Sequence, residues 1–300
     1  MGRRRLVPGH FAYRVVELLS SRWADRVVCV TFDLGGGKRA LIELDLGVGS
    51  CVELFVAPPD GMSDHASVRL FRVLAAEATT IIDVGANVGV FTYLAAAHSP
   101  RARVIAYEPT PALAALIGRN IARNGWAARV EVRAQAVSAG AGSMPFYVLE
   151  GDSESTLEPD RARHATVTSR VAIGLVALDD VLEAEEIDPA SVLLKIDVEG
   201  HEMRVMDGLE RTLRRHGARP TLLMEFLGHA IVQEGIIERV LDLGLDVYYV
   251  SSRGLVRLGS TDELQAFHEL GQWNFLLTPR SAEAVGRIAR EARVDVVGAG

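Results

Sequence analysis

From Thr79 onward the chain switches repeatedly between short β-branched runs and amphipathic runs of helical period, and this alternation constrains the fold more than any other feature. "TTIIDV" predicts a strand, "GVFTYLAAAHSP" a helix stopped by Pro100, and "ARVIAYEP" a second strand. A helix follows, with Thr110 as N-cap, Pro111 in its first turn, Leu113, Leu116, Ile117 and Ile121 on one face, and Gly125 closing it. "ARVEVRAQAV", "SVLLKIDVEG", "TLLMEF" and "WNFLLTPR" predict further strands, and "HEMRVMDGLERTLRRHG" and "IVQEGIIERVLDLG" predict helices. "SMPFYVLE" and "ATVTSRVAI" predict strands around the polar loop "GDSESTLEPDRAR". Parallel strands need crossovers, which these helices supply, so the expected fold is α/β: a mostly parallel sheet with helices on both faces.

Ahead of this body, residues 1–64 read as an extension and residues 65–300 as the sheet domain. The extension holds a predicted helix, Phe11–Trp23, and a hairpin in which β-branched runs flank Gly35-Gly36-Gly37. Its expected role is to cover the substrate side of the domain or to form a subunit contact in a homo-oligomer.

Charge and composition narrow the partners. A formal net charge of −7 and a pI near 5.7 disfavour nucleic acid, whose binding needs a basic surface. No uninterrupted apolar run approaches the ~18 residues of a membrane span, so no membrane partner is expected. Arg14 and Glu17 interrupt the apolar stretch near the start, which makes a poor signal peptide. The two cysteines, Cys29 and Cys51, sit in strand-like apolar text and read as buried, reduced thiols of a cytoplasmic protein.

The chemistry-bearing residues gather at strand ends. In an open parallel sheet, ligands bind beyond the carboxyl ends of the strands. Asp83 stands there, just before Gly85-Ala86-Asn87-Val88-Gly89. Asn87 and Val90 occupy the second and third glycine positions of a dinucleotide fingerprint, so that fingerprint fails. A carboxylate at this turn repels a pyrophosphate and attracts an ammonium. S-adenosylmethionine carries an ammonium and a sulfonium and no phosphate, and suits such a turn. Glu108 ends the next strand, where nucleoside-binding sheets place an acid for the ribose hydroxyls.

In "LLKIDVEGHE" strand alternation puts Leu193, Lys195 and Asp197 on one face, with Asp197 at the rim and Lys195 one pleat deeper. Lys195 is one of only two lysines among 32 basic residues, the other being Lys38, which hints that arginine would not serve there. Asp197 is the first candidate for the general base of a transfer to a hydroxyl. Glu199 and His201 on the exit turn are the alternatives, with Lys195 restraining or neutralising the acids. Glu202 reads as a helix cap, and Glu225 at the end of "LLMEF" is a third rim acid. No protein metal site is expected. Mg²⁺ held by the rim acids is the less favoured alternative, because the nearby lysine already supplies a cation.

With these residues in view, the order "IIDVGANVGVFT", "AYEP", "LLKIDVEGHE", "LLMEF" resembles the FkbM-type family of S-adenosylmethionine-dependent methyltransferases over about residues 65 to 280, and "NFLL" near Asn274 fits its late strand. The resemblance implies a Rossmann-like class I methyltransferase fold, with a seven-stranded sheet whose last strand is antiparallel. It also implies O-methylation of a small hydroxylated molecule: a sugar, a polyketide or another secondary metabolite. By the same likeness Asp83, Gly85, Ala86, Asn87, Gly89, Phe91 and Glu108 hold the cofactor, and Gln135 and Ala136 flank its adenine. Two other readings compete with it. Enzymes that methylate amino nitrogens usually carry an Asn/Asp-Pro-Pro-aromatic motif, and the nearest text, Pro58-Pro59-Asp60, lacks the aromatic. A scaffold that keeps the fold without chemistry would have no need to retain Asp83, Glu108, Lys195 and Asp197 together.

Overall fold

The computed structural model describes residues 27–46, 51, 65–149, 157, 167–215, 219–227, 235–251, 254–266 and 272–297. The predicted helix Phe11–Trp23 and nearly all of the loop "GDSESTLEPDRAR" lie outside them.

The chain opens on a hairpin of β1 (Val27–Gly35) and β2 (Lys38–Asp45), followed by α1 (Ala66–Glu77). Then come β3 (Thr80–Val84), α2 (Val90–His98), β4 (Arg103–Tyr107), α3 (Pro111–Arg123) and β5 (Val130–Arg133). The text "ARVEVRAQAV", expected as one strand, is divided. After β5, β6 (Gln135–Val137) leaves for a separate three-stranded sheet with β7 (Gly142–Leu149) and β8 (Val167–Val176), in the order β6-β8-β7. The main path resumes with α4 (Leu178–Ala184), β9 (Val192–Ile196), α5 (Glu202–Asp207), α6 (Glu210–Leu213) and β10 (Thr221–Leu227). It ends with α7 (Ile236–Asp242), β11 (Asp246–Ser251), β12 (Gly254–Leu258), β13 (Gln272–Thr278), α8 (Ala282–Glu291) and β14 (Val296–Val297).

The main sheet runs β14-β12-β11-β13-β10-β9-β3-β4-β5. Strands β3, β4, β5, β9 and β10 are parallel, and β13 is inserted antiparallel between β10 and β11. A seven-stranded unit with an antiparallel late strand is therefore present. The sheet itself has nine strands, because β12 and β14 extend its β11 edge.

Strand alternation sorts the core onto two faces. Ile81, Val104, Leu193 and Leu223 point to one face, covered by α1, α2, α3 and α8. Ile82, Ile105, Leu194 and Leu222 point to the other, covered by α4, α5, α6 and α7. The hairpin, read from the sequence as part of an extension, shares the first core: Phe32, Leu34, Ala40, Ile42 and Leu44 are buried with Tyr93, Leu116 and Ile117. The same alternation leaves Cys29 on the hairpin's outer face, exposed, and this corrects the expectation of two buried thiols; Cys51 is buried, and neither is in a disulfide. The helix expected from "HEMRVMDGLERTLRRHG" breaks into α5 and α6 at Gly208. A Cβ there would stand 2.1 Å from the Ser138 carbonyl oxygen, so the chain passes too close to β6 for any larger residue. Among the described residues no helix is long and apolar enough to cross a membrane.

Candidate functional site

A cleft of about 640 Å³ opens over the carboxyl ends of β3, β4 and β9, where the strand-end reading placed it. Gly85, Asn87, Glu108, Gln135 and Ala136 line one side. Asp197, Glu199 and His201 line the other. Seven of the candidate residues read from the sequence do not line it: Asp83, Ala86, Gly89, Phe91, Lys195, Glu202 and the third rim acid, Glu225.

The β3 turn is held by its neighbours. The amides of Gly85 and Ala86 both donate to the Tyr107 carbonyl, at 3.0 Å each, and Asp197 N donates to Val84 O at 3.0 Å. Gly85 has φ +79° and a Cβ there would lie 1.8 Å from the Asp197 carbonyl oxygen. Its glycine is thus demanded by the adjoining strand end as well as by the turn. Gly89 caps the N-terminus of α2 in the left-handed region. Asn87 takes φ 52°, uncommon for a residue with a side chain. Its Oδ1 is buried and has no hydrogen-bond partner among the described residues. Such an atom marks a place where a donor from outside the chain fits.

Glu108 explains how the turn and the next strand are locked. Its Oε2 accepts from Asn87 N and its Oε1 from Thr110 N, both at 2.7 Å. Burial pushes its carboxyl up to about 7, against these amide bonds, which favour the ionised form. Each carboxyl oxygen keeps a second lone pair for a hydroxyl in the cleft.

Asp83 has a different environment from the one its position in the sequence suggests. It is 2% exposed, and its Oδ2 accepts from Thr92 Oγ1 at 2.6 Å. It pairs in register with Lys195 across β3 and β9, and the two charges attract. Desolvation raises its carboxyl to about 6, partly offset by Thr92 and Lys195. The ammonium that Asp83 faces is therefore the protein's own. Lys195 is 1% exposed; its Nζ lies 3.4 Å from Asp197 Oδ2 and 4.9 Å from the centroid of the Phe91 ring. Phe91 thus serves the lysine, not the cleft, and stacks edge-on against Phe71.

Asp197 stands where this buried group meets the cleft, its side chain 34% exposed. Glu199 takes φ 53° and Gly200 φ 100°, which turns the chain sharply into α5. His201 is buried and its Nε2 shares a 2.9 Å hydrogen bond with Ser138 Oγ. Glu202 accepts from Gly200 N at 3.0 Å, a bond that tightens the turn ahead of the helix N-cap, His201, and does not cap α5 itself. Glu225 pairs in register with Asn274, whose side-chain amide favours its charged form. Burial, with Asp197 and Glu202 nearby, pushes Glu225 up to about 7 against the pull of Lys195.

Sequence reasoning missed the cleft's apolar wall. Leu113, Phe146 and Leu157 line it beside Ala136. Leu157 had a readable signal, as the one large apolar residue in "GDSESTLEPDRAR". Among the described residues no three His, Cys, Asp or Glu side chains are arranged to hold a metal ion.

The comparisons with known proteins agree with one another. The family profile described as Methyltransferase FkbM domain matches residues 83–242. Methyltransferase sdnD of Sordaria araneosa is 30% identical over 159 residues, covering 43% of this chain and 60% of its own length. The 31-O-demethyl-FK506 methyltransferase FkbM of Streptomyces tacrolimicus is 33% identical over 154 residues, covering 43% and 59%. Hexuronic acid methyltransferase AglP of Haloferax volcanii is 26% identical over 147 residues, covering 49% and 56%. The chain thus spans 56–60% of the length of these curated relatives. The profile match takes in the β3 turn, Glu108, the Lys195–Asp197 pair and Glu225, and it covers more than half of the 300 residues. The chain belongs to the FkbM methyltransferase domain family.

Proposed function

We propose that the protein transfers a methyl group from S-adenosylmethionine to a hydroxyl of a small molecule such as a sugar, a polyketide or another secondary metabolite. The observation that carries the cofactor is Glu108, anchored by two backbone amides with lone pairs left for the ribose hydroxyls. The unpaired Asn87 Oδ1 suits a donor such as the cofactor's ammonium, and the wall of Ala136, Phe146 and Leu157 suits its adenine. These residues fit the group. The choice of oxygen as the acceptor atom draws on a relative named for an O-demethyl substrate, and the small-molecule class on that relative and one named for a hexuronic acid.

When bound, S-adenosylmethionine supplies an electrophilic methyl group on a cationic sulfur. The protein's part is alignment and removal of the acceptor's proton. Holding both reactants in line supplies much of the acceleration. A carboxylate within hydrogen-bond reach of the hydroxyl adds about 10²–10⁴-fold, and Asp197 occupies the edge of the cleft for that role. Lys195 restrains Asp197 from below.

Titration calorimetry with S-adenosylmethionine and with its demethylated product tests the cofactor. Screening hydroxylated acceptors by mass spectrometry for a gain of one methylene tests the transfer. Failure to bind either ligand would sink the reading, and methylation confined to amines would move it from oxygen to nitrogen. Asp197→Asn should keep cofactor affinity and lower kcat by roughly the base contribution.

A further inference from the structure

Ser138 follows β6 directly, is buried, and does not itself line the cleft. Its amide donates to Val176 O on β8 at 2.8 Å. Its carbonyl lies against Gly208, at the break between α5 and α6. With the backbone fixed at both groups, the hydroxyl reaches His201 Nε2 at 2.9 Å. The two partners belong to opposite walls. Gln135, Ala136 and Val137, the three residues ahead of Ser138, line the cleft on the side that suits the adenine. His201 lines the other side and is the N-cap of α5, its carbonyl accepting from Arg204 N and Val205 N at 3.1 and 3.2 Å. It closes the turn that begins at Asp197, in which Glu199 and Gly200 both take positive φ. β6 lies in the three-stranded sheet and β9 in the nine-stranded one, so among the described residues strand pairing does not fix the distance between these walls. A buried hydroxyl and imidazole are satisfied only at hydrogen-bonding distance, and that fixes it.

We infer that Ser138 is a positioning residue of the transfer site: through its bond to His201 it sets the span between the β6 wall and the turn that carries Asp197. This rests on the cleft being the S-adenosylmethionine site. The cofactor would cross that span. Glu108 ends β4 and Ala136 follows β5, so a ligand with its ribose on Glu108 and its adenine on Ala136 runs its amino-acid end back along the rim toward β3 and β9. The adenine is then anchored on one partner's side of the bond and the reacting end stands on the other's. Transfer needs the acceptor oxygen, the methyl carbon and the sulfur in line, and a misplacement of about 1 Å costs about 10²-fold. His201 serves here as the far end of a clamp, a different part from that of a base.

The test needs no acceptor. S-adenosylhomocysteine spans both walls, whereas 5′-methylthioadenosine carries the same adenine, ribose and sulfur without the amino acid. Calorimetry of both ligands on the full chain gives the ratio of their affinities. A general loss of structure lowers both and leaves the ratio, and a slipped span lowers the first alone. Ser138→Ala should weaken S-adenosylhomocysteine about five- to tenfold, the scale of one hydrogen bond, and 5′-methylthioadenosine less than about twofold. His201→Leu should do the same. His201→Gln places an amide where Nε2 stood and should hold the ratio within about twofold of wild type, although it has no imidazole to act as a base. An unmoved ratio in Ser138→Ala, or a His201→Gln ratio that falls as far as that of His201→Leu, would overturn the assignment. Where Ser138→Ala does not fold, the two His201 variants decide alone, and equal ratios in them count against the clamp. Wild type that binds neither ligand would overturn the cofactor reading itself.

Discussion

Asn120 pairs in both directions with the backbone of Glu43: its Oδ1 accepts from Glu43 N at 2.7 Å and its Nδ2 donates to Glu43 O at 3.0 Å. One turn along α3, Asn124 does the same with Leu41, at 2.9 and 2.8 Å. Two side chains on a helix thus satisfy the free edge of β2 as another strand would. Arg119 and Arg123 close on the Glu43 carboxylate at 2.8 and 2.6 Å and hold it below the usual carboxylate range.

Asn120→Ala should therefore be costly. Asn120 is fully buried, and its loss strands the Glu43 backbone groups and the Tyr93 hydroxyl, which it also contacts at 3.0 Å. Denaturant unfolding should show a loss of about 2–4 kcal/mol, from leaving more than one buried polar group unsatisfied. Asn124→Ala, at a more exposed position, should cost about 1 kcal/mol. Equal small losses in both would show that the hairpin is docked by its apolar face alone.

The two acids of the first strands should separate in their effects. Glu108→Ala should weaken S-adenosylmethionine binding by about 1.5–3 kcal/mol, the range for hydrogen bonds to charged groups. Asp83→Ala should act on folding instead, because Asp83 lies off the cleft between Thr92 and Lys195. A stability loss of about 1–3 kcal/mol is expected from removing one partner of the buried ammonium. Calorimetry and thermal unfolding on both variants check this, and an Asp83→Ala protein of normal stability with abolished binding would reverse the assignment.

Gly85→Ala should disturb the site through the backbone. Its φ of +79° and the 1.8 Å approach to the Asp197 carbonyl leave a methyl group nowhere to go, so β3 and β9 must part at their ends. The expected loss is above about 3 kcal/mol, read by denaturant unfolding. A variant of wild-type stability would mean that the strand ends move freely against each other.

Glu225 should also mark stability with pH. Its folded value of about 7 lies above the ordinary 4.5, so the folded protein binds this proton more tightly than the unfolded chain. The contribution is favourable below the ordinary value and is lost as pH rises through about 7. Glu225→Gln should therefore be more stable than wild type at about pH 8, by on the order of 1–2 kcal/mol after allowing for solvent screening. The two should converge near about pH 4. A constant offset across that range would rule out ionisation as the cause.

Much of this was legible in the sequence because strand periodicity is local. "LLKIDVEGHE" placed Lys195 and Asp197 on one face, and the structure keeps them there, 3.4 Å apart. The residues that were read differently depend on distant partners. Nothing near Asp83 shows that Lys195, more than a hundred residues on, will lie opposite it. Nothing near Gly208 shows that the Ser138 carbonyl will press against it and break the helix. The strands β11 and β12 escaped notice because "DVYYVSSRGLVRL" offers two short runs without a clean alternation of apolar and polar residues. Leu157 earns its place in the cleft only through the β7–β8 sheet around it.

The antiparallel β13 sits in the interior of the sheet, bonded to β10 on one side and β11 on the other. It is also synthesised after both of these neighbours. Until residues 272–278 are made, β10 and β11 each present an unpaired edge, and Glu225 lacks its Asn274 neighbour. A nascent chain can close the β3–β4–β5 side early, whereas the Glu225 half of the rim must wait for a strand synthesised about fifty residues later. A stall between β12 and β13 thus leaves an intermediate with two open edges, the kind of surface on which chaperones and aggregation compete.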